Sequence, residues 1–471
     1  MRPPQSVDRS QREFRRYHSQ VADVQSAEAS DDKGMTAEIA ILNRNAVAMA
    51  ADSAVTLQLS GGQKIYNTVN KLFALSKYRP VGIMVFGSGD FMGVPWETII
   101  KMYRAELVDK KYGRLEEYAS DFINFFEREN ILFPADVQSE SASDHLRLGL
   151  YPLRHQIDKK VEEIIKQIGS IDEIQVRTLV REKVTEFLGQ LEGLENLPTF
   201  GPAECIEIAA KCEDNIRSVI DEIFEKLPIQ ESREQLQLAG SLILCRHFPQ
   251  RDYSGVVIAG YGEKDVFPRL IAYECELVIN NRLRYLETQN VKVGSTPDTV
   301  MAWVMPFAQR EMVNRFMEGV DPKYREAVEA YVSALLSQGY PNKIAEALAG
   351  KVSEELQESV RKELVELGRK LAAEFTDRLR DYRQAQFIGP VINSVASLPR
   401  EDLAAMAESL VNLTAFKRRM TSVETDTVAL PIDVAVISKG DGFIWIKRKH
   451  YFEPSLNPHF LSNYYRKDEV K

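Results

Sequence analysis

The chain is poor in the residues that bind metal ions or form disulfides. Its 471 residues include only six histidines and four cysteines, Cys205, Cys212, Cys245 and Cys275, and no two cysteines form a Cys-x-x-Cys pair. Irregular spacing, with no helical pair of histidine ligands nearby, indicates reduced, buried thiols rather than a zinc site or a disulfide framework. We therefore expect no metal, no cofactor and a cytoplasmic location.

Long apolar runs and clustered positive charge are also missing. No apolar run is long enough to span a bilayer, and the N-terminus lacks the apolar core of a signal peptide. Lysine and arginine total 60 against 69 aspartate and glutamate, which gives a net charge of −9. Phosphate binding needs clustered basic side chains, and the basic runs at 417–419 and 447–449 are short, so we expect neither nucleic acid nor membrane as a partner.

The most informative pattern that is present lies at residues 36–53. Two short apolar runs on either side of Asn43-Arg44-Asn45 predict a pair of strands. The first run opens with Thr36, and the second closes with Asp52. A threonine that becomes residue one can use its own α-amine as the general base for its hydroxyl.

A lysine follows in a matching context. Lys71 ends the run Thr68-Val69-Asn70-Lys71, directly before an apolar strand. Threonine, aspartate and lysine in this order resemble the proteasome β-subunit family of N-terminal nucleophile (Ntn) hydrolases, including its bacterial branch that works beside an unfoldase ring. The segment from Asp52 to Lys71 is longer than in that family by about three residues, which a loop at 60–62 can absorb. Lys64 competes with Lys71 but lacks the strand context.

The resemblance implies roles for these three residues. Thr36 would be the nucleophile, Asp52 the orienting carboxylate and Lys71 the neighbouring cation. An ammonium group beside the α-amine lowers the pKa of that amine and favours its neutral, basic form, and a carboxylate holds the lysine in place. Taken singly, each residue has an ordinary explanation, as a strand former, a turn residue or a solvated charge.

Three further candidates come from the same resemblance. The turn Phe86-Gly87-Ser88-Gly89 follows an apolar strand, and the N–H of Gly87 would donate to the oxyanion, although the family's paired glycines are replaced here by Gly-Ser-Gly. Plain hairpin chemistry explains such glycines equally well. Ser422 and Asp426, late in the chain, are candidates to support the terminal amine, and a polar connecting loop is the alternative interpretation.

Thr36 acts only if its amine is exposed. Residues 1–34 are rich in arginine, serine, glutamine and aspartate, a composition that predicts disorder. The leader is either a propeptide removed by self-cleavage or a spurious upstream extension, with Met35 as the true start. Family members that cleave themselves carry glycine directly before the threonine, whereas here Met35 follows Gly34. We therefore favour initiation at Met35 followed by methionine removal.

Strand and helix signals alternate along the rest of the chain, and the apolar spacing after Trp96 predicts the first long helix. The resemblance implies an α+β fold, a four-layer αββα sandwich of two antiparallel sheets with large helical insertions. The expected organisation is a leader (1–35), the first part of the core (36–108), a helical insertion (109–250), the middle of the core (251–298), a second helical insertion (299–394), the last part of the core (395–450) and a C-terminal tail (451–471).

The resulting functional hypothesis is a threonine endopeptidase-like hydrolase that cleaves peptide bonds through a covalent ester on Thr36. One alternative is an Ntn amidohydrolase acting on a small amide, with the helical insertion as a lid. Another is an inactive scaffold subunit whose leader stays attached. Family resemblance implies a homo-oligomer, a peptide or unfolded-protein substrate and an ATP-dependent unfoldase partner.

Overall fold

A computed structural model describes residues 37–53, 55–59, 62–66, 69–128, 131–248, 253–294, 296, 299–421, 431–450 and 452–459. Three of the predicted site residues, Thr36, Ser422 and Asp426, lie outside the described residues. The described chain has an α+β fold with two five-stranded antiparallel sheets and many helices, which agrees with the predicted fold class.

The chain divides into two compact units. As far as they are described, residues 53–292 and 437–444 form one unit, and residues 37–52, 293–436 and 445–459 form the other. We call them the long-insertion unit and the N-strand unit. Both are assembled from segments distant in sequence, as a core interrupted by insertions requires.

The strands are short, except for one long pair. They are β1 (Glu38–Asn43), β2 (Val47–Ala51), β3 (Val55–Leu59), β4 (Gly62–Tyr66), β5 (Leu72–Ala74), β6 (Val81–Gly87), β7 (Asp90–Phe91), β8 (Val94–Pro95), β9 (Ser254–Gly260), β10 (Arg269–Ile279), β11 (Arg282–Lys292), β12 (Ala302–Pro306), β13 (Asp433–Ser438) and β14 (Gly442–Lys447).

The helices fall mainly between β8 and β9 and between β12 and β13. They are α1 (Trp96–Leu107), α2 (Leu115–Arg128), α3 (Ala135–Ile168), α4 (Glu173–Glu192), α5 (Pro202–Lys211), α6 (Glu213–Ile223), α7 (Arg233–Cys245), α8 (Glu311–Glu318), α9 (Pro322–Ala334), α10 (Tyr340–Leu348), α11 (Glu354–Arg383), α12 (Gly389–Ser397) and α13 (Arg400–Thr421). Among the described residues, no helix combines the length and apolar character needed to cross a membrane.

The first sheet has the strand order β12-β1-β2-β13-β14. Its centre is the predicted hairpin, which is confirmed: β1 pairs with β2 on one side and with β12 on the other, and every residue of β1 and β2 is buried. Asn43 closes the turn, since its Oδ1 accepts the Asn45 N–H at 2.8 Å. Its Nδ2 also donates to the carbonyls of Val395 and Leu398, which ties the hairpin to the end of α12.

Helices α12 and α13 cover this sheet. α13 packs on β1 and β2, and α12 packs on β1 and β12. Leu403, Ala407, Leu410 and Val411 of α13 are buried at helical spacing, as expected for a helix with one face on a sheet. β12 lies inside the predicted second helical insertion and was not recognised from the sequence.

The second sheet has the order β11-β10-β9-β6-β5 and lies wholly in the long-insertion unit. Helix α1, predicted to begin near Trp96, is confirmed, and α2 follows it. One apolar cluster joins both helices to this sheet. Within the cluster, the centroid of the Phe91 ring, on β7, lies 5.2 Å from that of Trp96 and 5.6 Å from that of Phe126. In the same unit Ile437 and Phe443 lie directly over Gly82 of β6, where a Cβ would come within 3 Å of each.

The described residues between α2 and β9 form helices with a core of their own. Apolar side chains of α3, α4, α6 and α7 build a cluster separate from the one under α1 and α2. Helix α4 begins with a capping box, in which Asp172 accepts the Gln175 N–H and Gln175 accepts the Asp172 N–H. This segment is therefore a folded helical body.

Ion pairs join helices α8, α9 and α11. Glu318 contacts both Arg325 and Arg383, and Arg383 also reaches Glu329. Since these side chains are largely buried, each charge needs its partners to offset lost hydration. The pairs fix α9 and α11 against α8.

Candidate active site

Asp52 follows directly after β2, on a fixed backbone position. Its N–H donates to the Ala37 carbonyl at 3.1 Å, so the β1–β2 register places Asp52 opposite Ala37. The Asp52 side chain is 0% exposed. Thr36 directly precedes Ala37 in the sequence.

The segment that follows Asp52 begins and ends at a pair of hydrogen-bonded backbone groups. The Val69 N–H donates to the Ser53 carbonyl at 3.2 Å, so the segment between them returns to its starting point. Within it, β3 and β4 form a separate two-stranded sheet. The extra length that the sequence suggested for a simple loop is thus a hairpin. The competing Lys64 lies within β4, opposite Leu57.

Lys71 comes two residues after this closure. It directly precedes β5, as predicted, and its carbonyl accepts the Val85 N–H of β6 at 2.8 Å. The Lys71 side chain is only 2% exposed. Burying an ammonium or a carboxylate group costs several kcal/mol of hydration free energy, which ion-pair and hydrogen-bond partners must offset. Asp52, Ser53 and Lys71 each take part in at least one polar or electrostatic interaction.

Gly87 is the last residue of β6 and adopts a backbone conformation that favours glycine. Its φ is +78°, and a Cβ at this position would lie 2.9 Å from the Tyr253 carbonyl oxygen. The following turn is held by polar contacts: the Ser88 hydroxyl donates to Asp90 Oδ1 at 2.7 Å, and the Ser254 hydroxyl donates to the Asp90 carbonyl at 3.1 Å. Gly87 therefore occupies a fixed turn in which a residue with a Cβ would be strained.

The structure brings two of the predicted residues to the same end of one strand pair. Lys71 lies opposite Val85, and Gly87 follows Val85 by two residues along β6. Both belong to the long-insertion unit, whereas Asp52 belongs to the N-strand unit. Thr36, Ser422 and Asp426 stay predictions, since they lie outside the described residues.

One buried acid of β1 was not singled out from the sequence. Glu38, two residues after Thr36, is 2% exposed within β1, and its carbonyl accepts the Phe307 N–H at 2.9 Å. The available signal was an acidic residue inside an otherwise apolar strand. Its strand pairs with β2, which Asp52 follows.

The described residues contain no group of three or more histidine, cysteine, aspartate or glutamate side chains arranged to hold a metal ion. The described candidates supply a carboxylate (Asp52), an ammonium group (Lys71) and a backbone N–H donor (Gly87).

Among known proteins, similarity is found to solved structures. No protein-family model and no curated protein matches the chain. Among solved structures, the chain is similar to Anbu (ancestral β-subunit) from Yersinia bercovieri, with 10% sequence identity and a TM-score of 0.24 over 92% of this chain and 99% of that one.

The geometry at Gly87 gives a testable prediction. Gly87→Ala combines a positive φ, which costs about 1–2 kcal/mol for a residue with a Cβ, with the contact to the Tyr253 carbonyl. Gly93→Ala is the matched control, because Gly93 has a φ of +79° and nothing within 4 Å of the added Cβ. We expect Gly87→Ala to lower the free energy of unfolding by about 1 kcal/mol or more beyond Gly93→Ala, measured by urea titration. Equal losses would contradict the close approach at Gly87.

Proposed function

We propose that the chain is a threonine-type N-terminal nucleophile hydrolase that cleaves peptide bonds, with Thr36 as nucleophile once its amine is exposed. The observation that carries the proposal is the closure between Ser53 and Val69. Asp52 enters this closed segment and Lys71 follows it, and both charged side chains are buried. Burial of the charged side chains of Asp52 and Lys71, at the two ends of this segment, lowers the stability of the fold. Such buried ionisable groups are typical of a catalytic centre.

The proposed reaction begins with proton transfer from the Thr36 hydroxyl to its own neutral α-amine. The oxygen then attacks the substrate carbonyl carbon, and the Gly87 N–H donates to the oxyanion. The C–N bond breaks, the leaving amine takes the proton, and an ester to Thr36 remains. Water, deprotonated by the same α-amine, attacks this ester, which releases the acid and restores the hydroxyl.

Lys71 and Asp52 would act through the α-amine rather than on the substrate. The Lys71 ammonium lowers the pKa of the amine, which keeps it neutral and basic near neutral pH. Asp52 holds Lys71 and compensates its buried charge. In this proposal Ser422 and Asp426 support the terminal amine by hydrogen bonding.

The finer fold proposed is the four-layer αββα sandwich. Each sheet has helices packed on it, α12 and α13 on the first and α1 and α2 on the second. Within the long-insertion unit, Ile437 of β13 and Phe443 of β14 contact Gly82 of β6. The side chains of Ile437 and Phe443 fill the space that a Cβ at Gly82 would need.

We further propose that the protein works in the cytoplasm as a homo-oligomer on peptides or unfolded protein, fed by an ATP-dependent unfoldase. Enclosure would restrict an otherwise hazardous proteolytic activity. Hydrolysis of a small amide, or a scaffold role with the leader attached, are the alternative outcomes of the experiments below.

The first prediction concerns the nucleophile. Thr36→Ala removes the hydroxyl and should lower the turnover of fluorogenic peptides and unfolded casein by about a thousandfold or more. Thr36→Ser keeps a hydroxyl and an amine at the same position and should retain measurable turnover. Circular dichroism should show that both variants are folded. Undiminished turnover by Thr36→Ala would remove Thr36 from the mechanism.

The second prediction separates the two lysines. Lys71→Met removes the charge at nearly constant length, so the α-amine should bind its proton more tightly. We expect kcat/KM to fall at neutral pH and its acidic limb to move to higher pH, because the base must be neutral to act. The control is Lys64→Met, which should leave the pH profile of kcat/KM unchanged. Loss of activity in Lys64→Met, with Lys71→Met unaffected, would contradict the assignment.

A further inference from the structure

Two cysteines of the helical segment between α2 and β9 lie at facing helix ends. Cys205 is in the first half of α5 and is partly exposed, whereas Cys245 is the last residue of α7 and is 1% exposed. Helices α5 and α7 pack against each other. The two thiols therefore belong to one packed helix pair, although forty residues of chain separate them.

The segment around Asn196 connects the two cysteines. Its backbone pairs with Arg246, and the neighbouring Leu197 N–H donates to the Cys245 carbonyl at 3.1 Å. The Asn196 side-chain amide donates to Cys205 Sγ at 3.8 Å. The Cys205 thiol also donates to the Phe200 carbonyl at 3.7 Å. One short stretch of chain thus contacts Cys245 through its backbone and Cys205 through a side chain.

Both thiols pack in the same apolar cluster, in which Cys245 is buried and Cys205 lies against it. Burial raises the pKa of the Cys245 thiol, and the interaction with Cys205 raises it further. A disulfide needs its two sulfur atoms at about 2.05 Å, and the packing of α5 on α7 together with the shared contacts to residues 196 and 197 brings the two cysteines into one place. Their separation in sequence does not hinder this, because the helices are already packed.

A buried cation lies beside Cys245. Arg284 is 0% exposed, donates to the Leu244 and Arg246 carbonyls on either side of Cys245, and pairs with Glu276 at 2.6 Å. Its charge opposes the rise in the pKa of Cys245. His145 also lies near Arg284, but burial lowers the pKa of its imidazole well below the usual value, so it is neutral. The Arg284 charge favours a thiolate at Cys245 when the proton leaves.

We propose that Cys205 and Cys245 form a redox-modification site, in which peroxide oxidises the partly exposed Cys205 and the buried Cys245 then closes a disulfide. This departs from the expectation that the cysteines are inert reduced thiols. It places the modification on the helical segment and is independent of the proposed hydrolase activity.

The chemistry is balanced with hydrogen peroxide as the oxidant. The Cys205 thiolate attacks one peroxide oxygen, the O–O bond breaks, and a sulfenic acid and one water form. The Cys245 thiolate then attacks the Cys205 sulfur, the S–O bond breaks, and the departing hydroxide takes up a proton to form a second water. Two thiols are oxidised and one peroxide is reduced.

The disulfide has a structural consequence. It joins the start of α5 to the end of α7 and closes a loop that contains α6. A cross-link of this kind lowers the entropy of the unfolded chain and stabilises the folded segment.

The site is tested on the full-length protein by intact-mass spectrometry after treatment with equimolar hydrogen peroxide. We expect a species lighter by about two mass units, peptide mapping that joins Cys205 to Cys245, and return of the original mass on reduction with dithiothreitol. The oxidised protein should melt at a higher temperature than the reduced protein. Closure should be faster at pH 9 than at pH 7, because the groups facing Cys245 (Cys205, Cys212 and Arg284) leave its pKa raised.

Single-cysteine variants distinguish this pair from the others. Cys205→Ser and Cys245→Ser should each abolish the lighter species, and Cys245→Ser should accumulate a sulfenic acid that a cyclic 1,3-diketone traps on Cys205. Cys212→Ser and Cys275→Ser are the controls and should form the disulfide normally. A disulfide that persists in Cys205→Ser or Cys245→Ser, a link to Cys212, or oxidation that yields only sulfinic acid would each overturn the proposal.

Discussion

The constraint on which the proposed site depends is the burial of the β1–β2 hairpin at the centre of a sheet. β1 is paired on both sides, by β12 and by β2, and all of its residues are buried. A strand held on both edges cannot slip in register without moving its apolar side chains to the wrong face. Ala37 and Asp52 therefore face each other at a fixed position, and Thr36 directly precedes Ala37 in the sequence.

The second constraint is electrostatic. Asp52, Lys71 and Glu38 are almost completely buried, and each buried charge sacrifices hydration worth several kcal/mol. Backbone hydrogen bonds hold the relevant segments: Asp52 to Ala37, Val69 to Ser53, and Val85 to Lys71. These bonds explain how an inserted hairpin, β3 and β4, leaves the ends of the segment in place. Insertions that begin and end at a closed pair of backbone groups disturb the surrounding sheet little.

Much of the core was predictable from the sequence because its signals are local. The hairpin at Asn43, the strand after Lys71 and the helix after Trp96 each follow from short patterns of apolar and turn residues. β12 was missed because Ala302 to Pro306 is a five-residue apolar run, which periodicity cannot separate from a buried helix segment. The β3–β4 pairing and the burial of Glu38 were missed because both depend on tertiary contacts. Cys205 and Cys245 are brought together only by the packing of α5 on α7, so spacing alone gave no indication of the pair.

The exposure of the Thr36 α-amine is tested by the intact mass of the purified protein, expressed once from Met1 and once from Met35. We expect a mass that begins at Thr36 when expression starts at Met35, because the small threonine side chain permits removal of the initiator methionine. A mass that retains Met35 in that protein and Met1 in the longer one would leave the hydroxyl without its base, and would contradict the hydrolase account in favour of a scaffold.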